Sequence, residues 1–121
     1  DDEVATGTTL EGGGKLVKHD GATVIYAAAP HGKFTPDNQG RTLVDRIHDR
    51  ESPIDYLVTL DTIELPDRLK EKVIFVDKPS DVGPALQEKR VAILSAAPIY
   101  AVAIMCWLTG DSLSERLIAT Q

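Results

Sequence analysis

The chain has 121 residues, 42% of them apolar and 26% charged, with a formal charge of −6 and one cysteine. That length suits a single domain able to bury roughly two thirds of its unfolded surface. The acidic balance argues against a nucleic-acid partner held by general electrostatics; the lone Cys106 rules out an internal disulfide and a cysteine-based metal site and fits a reducing, cytoplasmic setting.

The first nine residues read Asp1-Asp2-Glu3-Val4-Ala5-Thr6-Gly7-Thr8-Thr9. Two adjacent carboxylates lead into a run of small residues that can wrap its N–H groups around an anion, with Gly7 free to take a positive φ. A helix over residues 8–19 would add its positive end to the same place, and Thr8 with Glu11 has capping-box spacing. Against this stands the plain reading of a helix cap beside two solvated aspartates. The glycines at 12–14 weaken the helix unless they serve close packing. Residues 22–29 form a continuous apolar run, expected as a strand buried on both faces. Pro30-His31-Gly32 reads as a turn at its end, with His31 a turn residue, a phosphate donor or a metal ligand.

Residues 41–50 have the pattern of an amphipathic helix, and His19 and His48 that of solvated helix histidines. Strands are expected at 54–60, 72–77 and 91–94, with a short helix at 80–87 that Gly83-Pro84 interrupts. Residues 96–108 are apolar without a break, with Pro98 in a first helical turn. A membrane span needs about 20 residues, so this is a core helix with no membrane partner. Being apolar on every face, it demands cover on every face, and residues 111–121 follow as a polar tail. The alternation predicts an α/β fold, a mostly parallel sheet with flanking helices. The opening shows no basic-then-apolar leader, no methionine, and no strand ahead of the loop. The chain is therefore expected to be the C-terminal portion of a larger protein, incomplete at its N-terminus.

Asp-Asp-x-x-Ala-Thr-Gly-x-Thr resembles the phosphoribosyl-diphosphate (PRPP) loop of type I phosphoribosyltransferase folds. Later segments narrow the resemblance to the ribose-phosphate diphosphokinase (PRPP synthetase) family: Gly21-Ala22 with His31-Gly32 and Phe34; Arg46-Ile47, Ser52 and Ile54-Asp55; Val58, Asp61-Thr62-Ile63 and Leu65-Pro66; residues 91–98; and Gly110-Asp111-Ser112-Leu113-Ser114. The likeness runs in collinear order along nearly the whole chain. It implies that residues 1–121 are a phosphoribosyltransferase-like domain of an enzyme that moves the β,γ-diphosphate of ATP onto the anomeric hydroxyl of ribose 5-phosphate, with Mg²⁺.

On that resemblance Ala5, Thr6, Gly7, Thr8 and Thr9 hold the 5-phosphate, while Asp1 and Asp2 face the ribose hydroxyls and any bound metal. The catalytic and ATP-binding residues lie upstream, so none is expected here and these residues alone should be inactive. Ser112 and Ser114 match serines of a regulatory site between subunits that takes inorganic phosphate or ADP, and a homo-oligomer is implied. Departures are the loop, where the family usually has Asp-Thr-Ala-Gly-Thr; the longer stretch 67–89; Met105 and Cys106 in place of charged residues; and Leu117 in place of a phenylalanine. They leave open a phosphoribosyltransferase that consumes PRPP, a non-catalytic synthetase-like regulatory subunit, or a relative acting on another sugar phosphate.

Overall fold

The computed structural model describes residues 2–119. Five strands, β1 (Glu3–Val4), β2 (Tyr26–Gly32), β3 (Tyr56–Leu60), β4 (Ile74–Val76) and β5 (Val91–Leu94), form one sheet in the order β1-β2-β3-β5-β4. Every pair of neighbours is parallel. Helices alternate with them: α1 (Thr8–His19), α2 (Leu43–His48), α3 (Asp67–Lys70), α4 (Val82–Lys89), α5 (Ala97–Thr109) and α6 (Leu113–Ala119). The α/β architecture, with a parallel sheet and flanking helices, is the expected one.

One face of the sheet carries the main core. Val4, Ala29, Leu57, Val91 and Ile93 pack there with Leu43, Val44 and Ile47 of α2, Leu69 of α3, and Phe34, Ile54 and Leu65. On the opposite face Ala85 and Leu86 of α4 cover Val76 and Ala92. That cluster reaches as far as Tyr56 and Val58 of β3 but not to β2, so the β2 residues Tyr26, Ala28 and Pro30 stay exposed on that face. β2 is thus buried on one face, not two. It also begins four residues later than the apolar run suggests. The Thr23 carbonyl is taken by Lys18 Nζ at 2.7 Å and the Ile25 N–H by the Asp55 carboxylate at 2.9 Å, which withdraws this segment from the ladder. At its far end the strand continues through His31 and Gly32, paired with Glu3 and Val4, instead of turning. Pro30 is tolerated because β1 begins pairing only after it.

Other elements differ in bounds for local reasons. Gly7, not a Thr8–Glu11 box, caps α1. The capping box is at α2 instead, where Thr42 Oγ1 accepts the Asp45 N–H and the Asp45 carboxylate accepts the Thr42 N–H at 2.8 Å. Pro84 does not interrupt α4; it sits in the first turn, where no intrahelical donor is required. Of the glycines at 12–14, only Gly14 is buried, against Pro53. His48 is not simply solvated, since its Nδ1 bonds the Val44 carbonyl at 2.8 Å. The expected polar tail contains α6, with Asp111 bonded to Arg116 at 2.8 Å. Among the described residues no helix is long and apolar enough to cross a membrane.

Candidate functional site

β1 delivers the chain to the carboxyl edge of the sheet, where residues 5–7 turn into α1. Gly7 caps that helix with φ 87° and no side-chain cap. Two constraints demand glycine there. The left-handed backbone disfavours a side chain, and a Cβ would stand 2.9 Å from Leu43 Cβ and Cδ2. The first helical bond of α1 runs from Glu11 N to Gly7 O. The N–H groups of Thr8, Thr9 and Leu10 precede it and find no acceptor among the described residues, the arrangement that makes a helix start attractive to anions. Residues 3–10 line a bowl of about 90 Å³. Sites that enclose a whole ligand measure about 300–1,000 Å³, so this one fits a single group.

The expected loop residues Ala5, Thr6, Gly7, Thr8 and Thr9 all line the bowl. Thr6 and Thr8 bring their hydroxyl oxygens to 3.0 Å from each other, and Thr8 and Thr9 are open to solvent. Asp2 is exposed just ahead of β1, while Asp1 lies outside the described residues. Glu3, beside it, pairs with Lys33 at 2.9 Å.

Behind the loop stands a side chain that local sequence patterns do not single out for this place. Arg46 of α2, largely buried, donates from Nη2 to the Thr6 carbonyl at 2.6 Å. Its Nε and Nη2 grip the Glu11 carboxylate at 2.9 and 3.1 Å. Its Nη1 reaches Asp37 Oδ2 at 2.8 Å and the Arg41 carbonyl at 3.3 Å. Asp37 in turn accepts the N–H groups of Arg41 and Gln39; these bonds, that of Arg41 foremost, with the Arg46 charge, hold its carboxyl below the usual range. The residue stands on the polar side of a short helix, forty positions from Thr6, and only the tertiary fold brings the two together.

His31 lies one strand over. Thr62 Oγ1 donates to the Pro30 carbonyl at 2.9 Å and stands 2.7 Å from His31 Nδ1. A hydroxyl has one proton to give, so His31 Nδ1 is the donor in that pair and Nε2 the ring's accepting nitrogen when neutral. Asp61, bridged to His31, accepts the Ala96 N–H at 2.6 Å and ties the end of β3 to the approach of α5. Ser112 and Ser114 do come together, with hydroxyl oxygens 3.0 Å apart, both exposed. They lie between Asp111 and Arg116, beside a groove of about 310 Å³ along α5. Among the described residues no group of three or more His, Cys, Asp or Glu could hold a metal ion. A Mg²⁺ at the loop would have to rely on phosphate oxygens and water, with at most a carboxylate such as Asp2 assisting.

No protein-family model matches the chain. It is 31% identical over 115 residues to a ribose-phosphate pyrophosphokinase of Caldanaerobacter subterraneus subsp. tengcongensis. The match covers 95% of this chain and 29% of that protein, so the chain spans less than a third of the relative's length.

Proposed function

We propose that this chain is the sugar-phosphate-binding part of a ribose-phosphate diphosphokinase, with residues 5–9 receiving the 5-phosphate of ribose 5-phosphate. The observation that carries the reading is the loop itself. A left-handed glycine opens a bowl at a helix start whose leading N–H groups find no acceptor among the described residues, and the similarity to a protein of that name covers nearly the whole chain.

In the proposed reaction the anomeric oxygen of ribose 5-phosphate attacks the β-phosphorus of ATP. The bond from that phosphorus to the α,β-bridging oxygen breaks, AMP leaves, and the hydroxyl proton is released. Such a transfer depends on positioning and charge neutralisation. This chain's share is to anchor the acceptor: the loop N–H groups hold the 5-phosphate, Thr6 and Thr8 offer hydroxyls to it, and Asp1 and Asp2 face the ribose. Mg²⁺, when bound, supplies neutralisation of the diphosphate charge. ATP would be held by residues outside this sequence.

Calorimetric titration of the full-length protein with ribose 5-phosphate tests the reading. Binding is expected, and Gly7→Val should weaken it roughly 100-fold, because the valine clashes with Leu43 and tilts the N–H groups away. Equal binding by the variant would sink the proposal. The Ala-Thr-Gly-x-Thr spelling of the loop favours a second reading, a phosphoribosyltransferase; tight binding of PRPP with no turnover of ATP and ribose 5-phosphate would select it.

A further inference from the structure

We infer that Arg46 is a positioning residue for the loop: its guanidinium holds the Thr6 carbonyl back so that the Gly7 N–H faces the bowl. The inference rests on the phosphate-loop reading above. In a planar trans peptide the carbonyl and the next N–H point in opposite directions. Arg46 does not line the bowl, yet its Nη2 takes the Thr6 carbonyl at 2.6 Å. The carbonyl is therefore drawn away from the bowl, and the Gly7 N–H is turned the other way, toward the ligand side.

Nothing about this contact is incidental. A guanidinium has five N–H donors in a rigid fork, and Arg46 has five acceptors within 3.3 Å: Thr6 O, both Glu11 oxygens, Asp37 Oδ2 and Arg41 O. They come from the loop, the first turn of α1, the 35–41 segment and the approach to α2. A side chain so completely satisfied has one orientation, so the peptide it holds has one as well. The fork also addresses an electrostatic conflict. Glu11 sits in the first turn of the helix whose positive end would receive the phosphate, and an unpaired carboxylate there would repel an anion. Bidentate pairing with Arg46 cancels that charge where it matters.

Lysine at this position could keep the charge and meet some of the acceptors, but it has no planar fork with which to hold Thr6 and Glu11 together. The test is calorimetric titration with ribose 5-phosphate of the full-length protein, Arg46→Lys, and the double variant Arg46→Met/Glu11→Gln, which leaves no carboxylate without its cation at position 11. Thermal melts of all three separate positioning from folding. Both variants are expected to bind ribose 5-phosphate roughly 10- to 100-fold more weakly, the double variant with no recovery although the charge conflict at Glu11 is gone. Unaltered affinity in Arg46→Lys, or full affinity in the double variant whatever its melting temperature, overturns the positioning role while leaving the loop reading intact. Failure of the unaltered protein itself to bind ribose 5-phosphate overturns the loop reading, and the positioning role with it.

Discussion

At the scale of single residues, the charges that matter most in this acidic chain are those taken out of solvent and then matched. Asp45 is the clearest case. Burial alone would push its carboxyl up, but Lys72 Nζ at 2.6 Å and the Thr42 N–H and hydroxyl at 2.8 Å outweigh burial and hold it well below the carboxylate range. Asp55 repeats the balance with Lys18 and the Ile25 N–H. A carboxyl whose folded pKa lies below its unfolded value of about 3.9 stabilises the fold fully above that pH. The stabilisation then fades as pH falls toward the folded value. Asp45→Asn should therefore lose about 2 kcal/mol at pH 7 and should lose less than the unaltered protein does on going from pH 5 to pH 3. Urea titrations at those three pH values check both halves. A variant whose stability falls as steeply with acid as the parent's would remove Asp45 from the account.

At the scale of elements, α2 shows what could be read from sequence and what could not. Thr42-Leu43-Val44-Asp45 carries its cap in plain spelling, and Leu43, Val44 and Ile47 mark the buried face. Thr42→Ala should remove the cap and cost about 1 kcal/mol or somewhat more, read as a shift in the urea midpoint with an unchanged slope. The helix α1 and the strand β5 are equally legible, at residues 8–19 and 91–94, because Gly7 and Gly21 flank the one and Arg90 and Ser95 the other. β2 is not. Its apolar run signals a strand but says nothing of Lys18 and Asp55, which claim the backbone of residues 23–25 and move the start to Tyr26. The same limit applies at the loop. Small residues at 5–9 announce a backbone site, whereas the arginine that supports it is forty residues distant, and periodicity carries no record of such a pairing. The expectation of a turn at His31 failed because Glu3 and Val4 extend the ladder there. Two residues of β1 leave too faint a signal to anticipate that.

At the scale of the molecule, the surface is larger than its mass warrants. The chain exposes 7690 Å², against about 6,400 Å² for a compact monomer of 13.1 kDa. Two apolar features are left open to solvent. The β2 face around Tyr26 is uncovered, and of α5 only Cys106 is buried, while Trp107 is 84% exposed, Leu108 69% and Met105 58%. A helix apolar on all sides is stable in water only when something packs on it. We expect a second copy of the chain to do so in solution, since a surplus on this scale exceeds the roughly 800 Å² per partner that a standard interface buries. Light scattering of the full-length protein at micromolar concentration should show an oligomer. Burying a side chain of this size is worth about 1.5–3 kcal/mol, so Met105→Glu should weaken the assembly at least about tenfold without lowering the helical signal in circular dichroism, because the Met105 side chain is mostly exposed. A unaltered protein that stays monomeric, or a glutamate variant that assembles as tightly, would mean that α5 is covered in another way.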